Sequence, residues 1–452
     1  MAHILLRHRD IENLHRLDVY REHGGYEALQ QCLTEMTPEE VLDVVKKANI
    51  RGRGGAGFPA GIKWGFIPKG GGEKYVVINA DESETGTFKD RELLEGNPHQ
   101  VIEGALIAAY AVNARTIYCY FRGEFMDAAL PFEQALKDLQ AANLIGDDIL
   151  GSDFSCDVYS SYGAGAYICG EETALLASLQ GDLGQPWSKP PFPAQEGLYR
   201  KPTVVNNVET LANVPPVIIN GAEWYLGIGT EDSPGPKIVC ISGHVNRPGN
   251  YEVPMGITYR ELIFGEEYAQ GIPNGKAFKA LLPSGGSGPV VVENALDAPL
   301  SFDGLKPYDS LMGSASMIVM DEDTDMVWAA LKMIHFFRHE SCGKCTPCRE
   351  GTYWLEQVLH DVYEGHGKAS DIMLLESVAS NMQGKCLCAL GEFATSPVLS
   401  TIKHFLPEYE AKVREAMARR AADKGEGVEI EAVPQATTIP LTQTAGSREH
   451  SA

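Results

Sequence analysis

The sequence predicts an α/β protein: a mostly parallel sheet, then a small mixed domain, then a C-terminal helical bundle. Three observations carry that reading. Strand-like and helix-like segments alternate from residue 51 to about 220, the pattern of a parallel sheet with crossover helices. Pro234-Gly235-Pro236 then punctuates the chain. From Asp325 onward the apolar spacing turns helical.

The elements follow in order. Residues 1–50 read as helical, most clearly over Glu39–Asn49, where Val41, Leu42, Val44 and Val45 fall on one side. Pro38 stands near that helix start, where proline is tolerated. Tyr75–Asn79 is a short apolar run, as expected of a strand buried on both faces. His99–Val112 reads as a helix, Thr116–Phe121 as a strand, Met126–Asn143 as a helix and Asp157–Ser160 as a third strand. A Gly-rich turn then leads into a helix over Glu171–Leu179. Lys237–Ser242 and Ser316–Met320 are strands of the mixed domain. Met326–His339, Tyr353–Tyr363, Ile372–Met382 and Glu408–Ala422 are four helices with short connections, which fit a bundle. The expected units are 1–50, 51–233, 234–324 and 325–423, and 424–452 lacks periodicity and is expected to be disordered.

Composition narrows the function. A chain of 452 residues is long enough for two or three domains. Its formal charge of −23 argues against nucleic acid and against an anionic membrane surface. No apolar run approaches the roughly 18 residues of a spanning helix, and charges interrupt the apolar N-terminal patch, so it is not a signal peptide. The expected location is cytoplasmic, with any membrane reached through partners.

Five of the ten cysteines fall between Cys342 and Cys388. Such clustering in a long cytosolic chain points to metal rather than disulfides. Cys342, Cys345 and Cys348 are spaced by two residues, and Cys386 and Cys388 follow much later. A triplet plus one distant thiolate suits a four-iron cubane, whereas structural zinc usually uses two separated pairs. Spacing leaves Cys386 and Cys388 equal as the fourth ligand. Cys32, Cys119, Cys156, Cys169 and Cys240 read as small buried hydrophobes.

Two glycine-rich loops point to an anionic ligand. Gly52-Arg53-Gly54-Gly55-Ala56-Gly57 fits G-x-G-x-x-G but follows a helix, so the ordinary dinucleotide context is absent. Successive side-chain-free N–H groups beside arginine still make an anion cradle. Asp81 and Glu84 lie just past the strand ending at Asn79, where a ribose is commonly held, or where Asp and Ser cap a helix. The second loop runs from Tyr162 through Tyr167 and Gly170 to Glu171 and Glu172, and opens a helix whose N–H groups can face phosphate or be complemented by the two carboxylates. Lys189 is available to an anion, and the Asn206–Asn207 pair suits the edge of a heterocycle or a turn.

Taken in order, GRGGAGFP (52–59), NADESETGT (79–87), YICGEETALL (167–176), SKPPFPA (188–194), NNVETL (206–211), SCGKCTPCREGT (341–352) and CALGE (388–392) closely resemble the NADH-binding flavoprotein subunit of respiratory complex I. The resemblance runs from about residue 20 to 420. It implies a Rossmann-like domain for FMN and NADH, a ubiquitin-like β-grasp domain, and a four-helix bundle carrying a [4Fe-4S] cluster. It implies FMN contacts from Gly52, Arg53, Gly54, Gly55, Gly57, Lys63, Asn79, Asp81, Gly170, Glu171, Asn206 and Asn207. Glu84, Tyr167, Glu172 and Lys189 match positions near NADH, with Glu84 and Glu172 the candidates for catalytic roles, and Phe58, Phe66 and Phe192 match aromatics beside its adenine. The cluster ligands implied are Cys342, Cys345, Cys348 and Cys388, since the fourth directly precedes Ala-Leu-Gly. Thr85, where relatives often carry proline, and the extra thiol Cys386 depart from the pattern. The implied partners are a [2Fe-2S] thioredoxin-like subunit and a further iron–sulfur subunit, in a complex peripheral to the inner (plasma) membrane.

The two sites explain each other. NADH releases a hydride, a cluster accepts one electron at a time, and a flavin between them converts one into the other. The expected activity is that of an NADH dehydrogenase, the electron-input subunit of a quinone-reducing complex. The alternatives are the flavin subunit of a soluble NAD-linked hydrogenase or formate dehydrogenase, and a zinc-bound assembly protein. The first often carries extra cluster domains whose cysteine motifs do not occur in this chain.

Overall fold

The computed structural model describes residues 2–424; the expectation for 424–452 therefore falls, apart from Lys424 itself, outside the described residues. Four parallel strands, β1 (Tyr75–Ala80), β2 (Thr116–Phe121), β3 (Asp157–Tyr162) and β4 (Thr203–Asn207), form the first sheet in the order β3-β2-β1-β4. Alternate residues serve different cores. Val76, Ile78 and Ala80 pack among the N-terminal helices, whereas Val77 packs toward the C-terminal bundle. That explains why β1 reads as an unbroken apolar run. The last strand was not among those expected, because its Asn pair reads as ligand chemistry and masks the short apolar run Thr203-Val204-Val205.

Helices α1 (Leu17–Glu22), α2 (Glu27–Glu35) and α3 (Pro38–Lys47) precede the sheet. Thr37 and Glu40 form a reciprocal capping box at α3, with Pro38 in its first turn. Helices α4 (Ala60–Gly65), α5 (Lys89–Gly96), α6 (Pro98–Val112), α7 (Met126–Ala141), α8 (Glu172–Leu179), α9 (Val208–Ala212), α10 (Val214–Asn220) and α11 (Ala222–Leu226) surround it. Helix α6 is buried along nearly its whole length, as expected where a helix lies between a sheet and a second helical layer.

A two-residue pair, β5 (Gly229–Thr230) and β6 (Ser233–Pro234), leads into the second sheet. Its strands are β7 (Pro236–Gly243), β8 (Gly249–Pro254), β9 (Phe278–Gly286) and β10 (Ser316–Asp321), in the order β8-β7-β10-β9. The outer pairs are antiparallel and the central β7–β10 pair is parallel. With α12 (Tyr259–Phe264) in the crossover, this is the β-grasp arrangement. The structure adds β8 and β9 to the two strands expected.

The bundle consists of α13 (Met326–Glu340), α14 (Thr346–Tyr363), α15 (Asp371–Met382), the short α16 (Leu390–Phe393) and α17 (Ser396–Lys424), which breaks at Phe405 just before Pro407. Asp325 caps α13 through the N–H groups of Val327 and Trp328. Helix α14 starts at Thr346, well before the expected Tyr353, because Pro347 is tolerated in its first turn.

Two buried contacts join the units. Lys237 on β7 and Lys89 on α5 both pair with Glu209 on α9, at 2.7 and 3.0 Å, with all three side chains essentially inaccessible. Glu252 on β8 accepts the backbone N–H groups of Ile4, Leu5 and Leu6 at 2.7, 3.0 and 2.8 Å, anchoring an N-terminal segment whose Leu5 and Leu6 are fully buried. Glu252→Ala leaves three N–H groups unpaired and is expected to cost about 2 kcal/mol. Hydrogen exchange checks this: the amides of residues 4–6 should lose protection first, and unchanged protection there would show that the carboxylate does not hold the segment.

Candidate functional site

Strand order reverses between β1 and β4, so their carboxyl ends open a crevice of the kind that receives nucleotides in open α/β sheets. The register pairs Ile78 with Asn206 and Asn79 with Asn207, which brings the sequence-distant amides together. Asn79 donates to the Gly170 carbonyl at 2.9 Å, and Asn206 accepts from the Trp64 indole at 2.7 Å. Asn207 caps α9 by accepting the Glu209 N–H at 3.0 Å.

The loop 52–57 folds against this crevice. A Cβ at Gly54 would stand 3.1 Å from that of Asn207, and one at Gly57, where φ is +65°, would strike the Phe302 ring at 2.4 Å. Only glycine fits there. The Arg51 guanidinium lies 4.4 Å from the centroid of the same ring. Arg53 is wholly buried; its Nη2 donates to Tyr225 and to the Pro234 carbonyl at 3.0 and 2.7 Å, while Nε and Nη1 have no partner among the described residues. Asp81 likewise leaves its buried Oδ2 unpaired. A buried cation with spare donors and a carboxylate with a spare acceptor suit a phosphate and a sugar hydroxyl, so the residues present fit FMN.

Lys63, on α4, reaches Glu172 at 2.6 Å and the Val205 carbonyl at 3.0 Å. Lys189 pairs with Glu172 at 2.7 Å and with Glu171 at 3.2 Å. Burial raises the Glu172 carboxyl, but the two ammonium groups outweigh it and hold it down at about 2. Phe58 and Phe66 face each other at 6.2 Å and, with Phe192, stand about half exposed, as open aromatic faces. Glu84 accepts the Tyr167 hydroxyl at 2.8 Å and the Ser287 N–H at 3.3 Å, while Thr85 accepts the Gly286 N–H at 2.7 Å. The β-grasp unit therefore holds the Glu84 loop. Burial pushes the Glu84 carboxyl up against these hydrogen bonds, and burial pushes Asp81 up to about 7 despite its Ser83 bond.

Two alternatives left open by the sequence are decided. The helix-cap role considered for Asp81 and its neighbouring Ser belongs instead to Glu82, which accepts the N–H groups of Asp90 and Arg91 at 2.7 and 3.0 Å in the first turn of α5. At α8 the carboxylate alternative holds: Glu171 accepts the N–H groups of Thr173 and Ala174 at 2.8 and 3.0 Å. The contributions of Phe302 and Ser287 had no sequence signal, since each meets the site from a distant segment, and that of Trp64 is a contact across the fold to Asn206.

The five clustered cysteines line one recess, together with Ile168 and Leu390. Five thiols on one otherwise largely apolar recess suit an iron–sulfur cluster. Cys345 caps α14 and Cys348 sits in its first turn. The Leu387 N–H donates to the Cys345 sulfur at 3.3 Å. Cys386 also faces the recess, and a Cβ on Gly391 would stand 2.4 Å from its sulfur. The other five cysteines are buried, and burial pushes Cys32 up to about 12.

The two sites meet at the turn Tyr167–Gly170. Tyr167 bonds Glu84 and Gly170 bonds Asn79, while Ile168 lines the cysteine recess.

Three family models match the chain: the Nuo51 FMN-binding domain over residues 45–216, the SLBB domain over 238–264, and the NADH-ubiquinone oxidoreductase-F iron-sulfur binding region over 328–412. Among curated relatives, an NADH-quinone oxidoreductase subunit of Rhizobium meliloti (strain 1021) is 49% identical over 413 residues, covering 91% of this chain and 98% of the relative. The corresponding NADH-quinone oxidoreductase subunit of Streptomyces coelicolor is 47% identical and is covered to 91%, as is this chain. Among solved structures, a chain of an NAD+-reducing [NiFe]-hydrogenase in the H2-reduced state superposes with a TM-score of 0.77 at 33% identity, over 90% of this chain and 73% of that one.

Lys189→Met is expected to raise the Glu172 carboxyl from about 2 toward the ordinary carboxylate range. In the unaltered protein the depressed carboxyl contributes stability that is complete above its ordinary pKa and is lost as pH falls through about 2. Isotope-edited carboxylate titration by NMR checks the shift, and an unmoved midpoint would show that Lys63 alone sets it.

Proposed function

Since the chain belongs to the family of FMN- and iron–sulfur-binding subunits of NADH-quinone oxidoreductase, we propose how its residues divide between hydride acceptance and electron exit. The chain is a subunit of a multi-subunit NADH-quinone oxidoreductase that binds FMN and a [4Fe-4S] cluster, oxidises NADH and passes electrons to that cluster. Bound flavin accepts two electrons as a hydride and releases them singly to a one-electron cluster.

The observation that carries the residue assignment is the turn Tyr167–Gly170, which belongs to both sites. Arg53, Lys63 and the N–H groups of residues 52–57 hold the phosphate side of FMN. Asn79, Asp81, Gly170, Glu171, Asn206 and Asn207 hold its sugar chain and ring edge. Glu172 and Lys189 orient NADH as a linked pair, and Phe58, Phe66 and Phe192 stack against its adenine. Glu84, fixed by Tyr167 and Ser287, would stand near bound NADH and help orient it. No side chain need serve as a general acid or base, since placing the two rings face to face is the main requirement. Cys342, Cys345, Cys348 and Cys388 ligate the cluster, with Cys386 beside it. The units 51–233, 234–324 and 325–423 correspond to the flavin, β-grasp and cluster domains.

The finer context is also part of this reading. A thioredoxin-like [2Fe-2S] subunit and a further iron–sulfur subunit receive the electrons, on the cytoplasmic side of the inner (plasma) membrane. Among the described residues no helix is long and apolar enough to cross a membrane. The hydrogenase reading shares both sites, and co-purification of membrane subunits rather than a nickel–iron subunit distinguishes it.

Cys348→Ser tests the assignment. NADH should still bleach the flavin, while electron delivery to the partner chain should fall by at least about a hundredfold for want of a cluster ligand. Preserved delivery would contradict the ligand. Cys386→Ser should leave iron and acid-labile sulfide unchanged, and loss of iron there would exchange the roles of the two thiols.

A further inference from the structure

Asn207 is held by a chain of buried charges that the flavin and cluster assignments do not use. Its Nδ2 donates to Asp90 Oδ2 at 2.6 Å. Asp90 Oδ1 accepts from Lys89 at 2.7 Å, Lys89 pairs with Glu209 at 3.0 Å, and Glu209 pairs with Lys237 at 2.7 Å. Glu209 also accepts the Ile238 N–H at 2.9 Å. Asp90, Lys89, Glu209 and Lys237 are all nine-tenths or more buried.

Geometry fixes which way the Asn207 amide points. Asp90, whose other oxygen takes the Lys89 ammonium, presents an acceptor, so it faces the NH2 group. The Glu209 N–H can only donate, so it faces the carbonyl oxygen, at 3.0 Å. Neither contact survives a flip of the amide. Each of these contacts uses one N–H and one oxygen lone pair of the amide, and Gly54 packs against the same side chain, where an added Cβ would stand 3.4 Å from the amide carbon.

We propose that Asp90 is a positioning residue, which sets the orientation of the Asn207 amide toward the flavin. This rests on the reading of Asn207 as an FMN contact. Asp90 itself touches no ligand. Its carboxylate is oriented by Lys89, and Lys89 by the carboxylate it shares with Lys237, so the β-grasp strand β7 contributes to the flavin site through charge.

The test measures the FMN dissociation constant of the full chain, with its cluster intact, for Asn207→Ala, Asp90→Asn and the double variant. Each single variant is expected to weaken FMN about tenfold, the upper worth of one ordinary hydrogen bond. The double variant should be no weaker than Asn207→Ala alone, because Asp90 acts only through that amide. A merely structural Asp90 would instead give losses that multiply, and that result overturns the inference. So does an unchanged constant in Asp90→Asn when Asn207→Ala has lost affinity. If Asn207→Ala binds FMN as tightly as the unaltered chain, the reading of Asn207 as a flavin contact fails first. Should Asp90→Asn not fold, Asp90→Glu keeps the charge facing Lys89 and moves the acceptor by one methylene; it should show the same non-multiplying loss, and FMN affinity equal to the unaltered chain there overturns the inference.

Discussion

The turn Tyr167–Gly170 touches both redox sites, and it does so because it is held from several sides. The Tyr167 hydroxyl is bound to Glu84 and its N–H to Glu340 at the end of the first bundle helix. Its ring packs edge-on against Phe336 and Phe337 at 5.2 and 6.0 Å. Further along, Gln185 donates to the Cys342 carbonyl at 2.9 Å and Lys344 to the Pro186 carbonyl at 2.6 Å, lacing the nucleotide side to the cysteine loop. Single-electron transfer requires short separation, and these contacts keep the two pockets from drifting apart.

A chain of charge −23 binds anionic nucleotides by local arrangement rather than by its overall field. Arg53 is buried with donors to spare, and Lys63 and Lys189 converge on one carboxylate. One nearby acid is partly silenced: burial raises Asp81 to about 7, which lessens its repulsion of a bound anion. Glu171 spends its charge on the helix N-terminus and Lys189.

Much of this was legible in the sequence, for definable reasons. β1 and β2 showed as apolar runs because they are covered on both faces, and the bundle helices showed by period. The cysteine triplet reported its own chemistry, because local spacing brings its thiols together on the turn that opens α14. What stayed hidden is long-range. Lys63, Glu172 and Lys189 are far apart in the chain, and nothing in their spacing announces one ion-pair cluster. Phe302, Ser287 and Asp90 sit in segments without motif character, yet they shape the flavin loop, the Glu84 loop and Asn207. β4 and β9 were obscured by amide- and glycine-rich ends that serve the site rather than the strand.

The Lys237–Glu209 pair bears on how such a molecule can be inherited. Separating the β-grasp unit from the sheet would strand Glu209 and Lys89 with one charge too few, a loss of about 3–5 kcal/mol for a buried pair broken from one side. A gene recombined at Pro234-Gly235-Pro236 would therefore yield a working chimera only if positions 89, 209 and 237 came from compatible parents. Pro234–Gly235 lies between the strands of the two sheets, but the buried charges make its two flanks a single heritable unit.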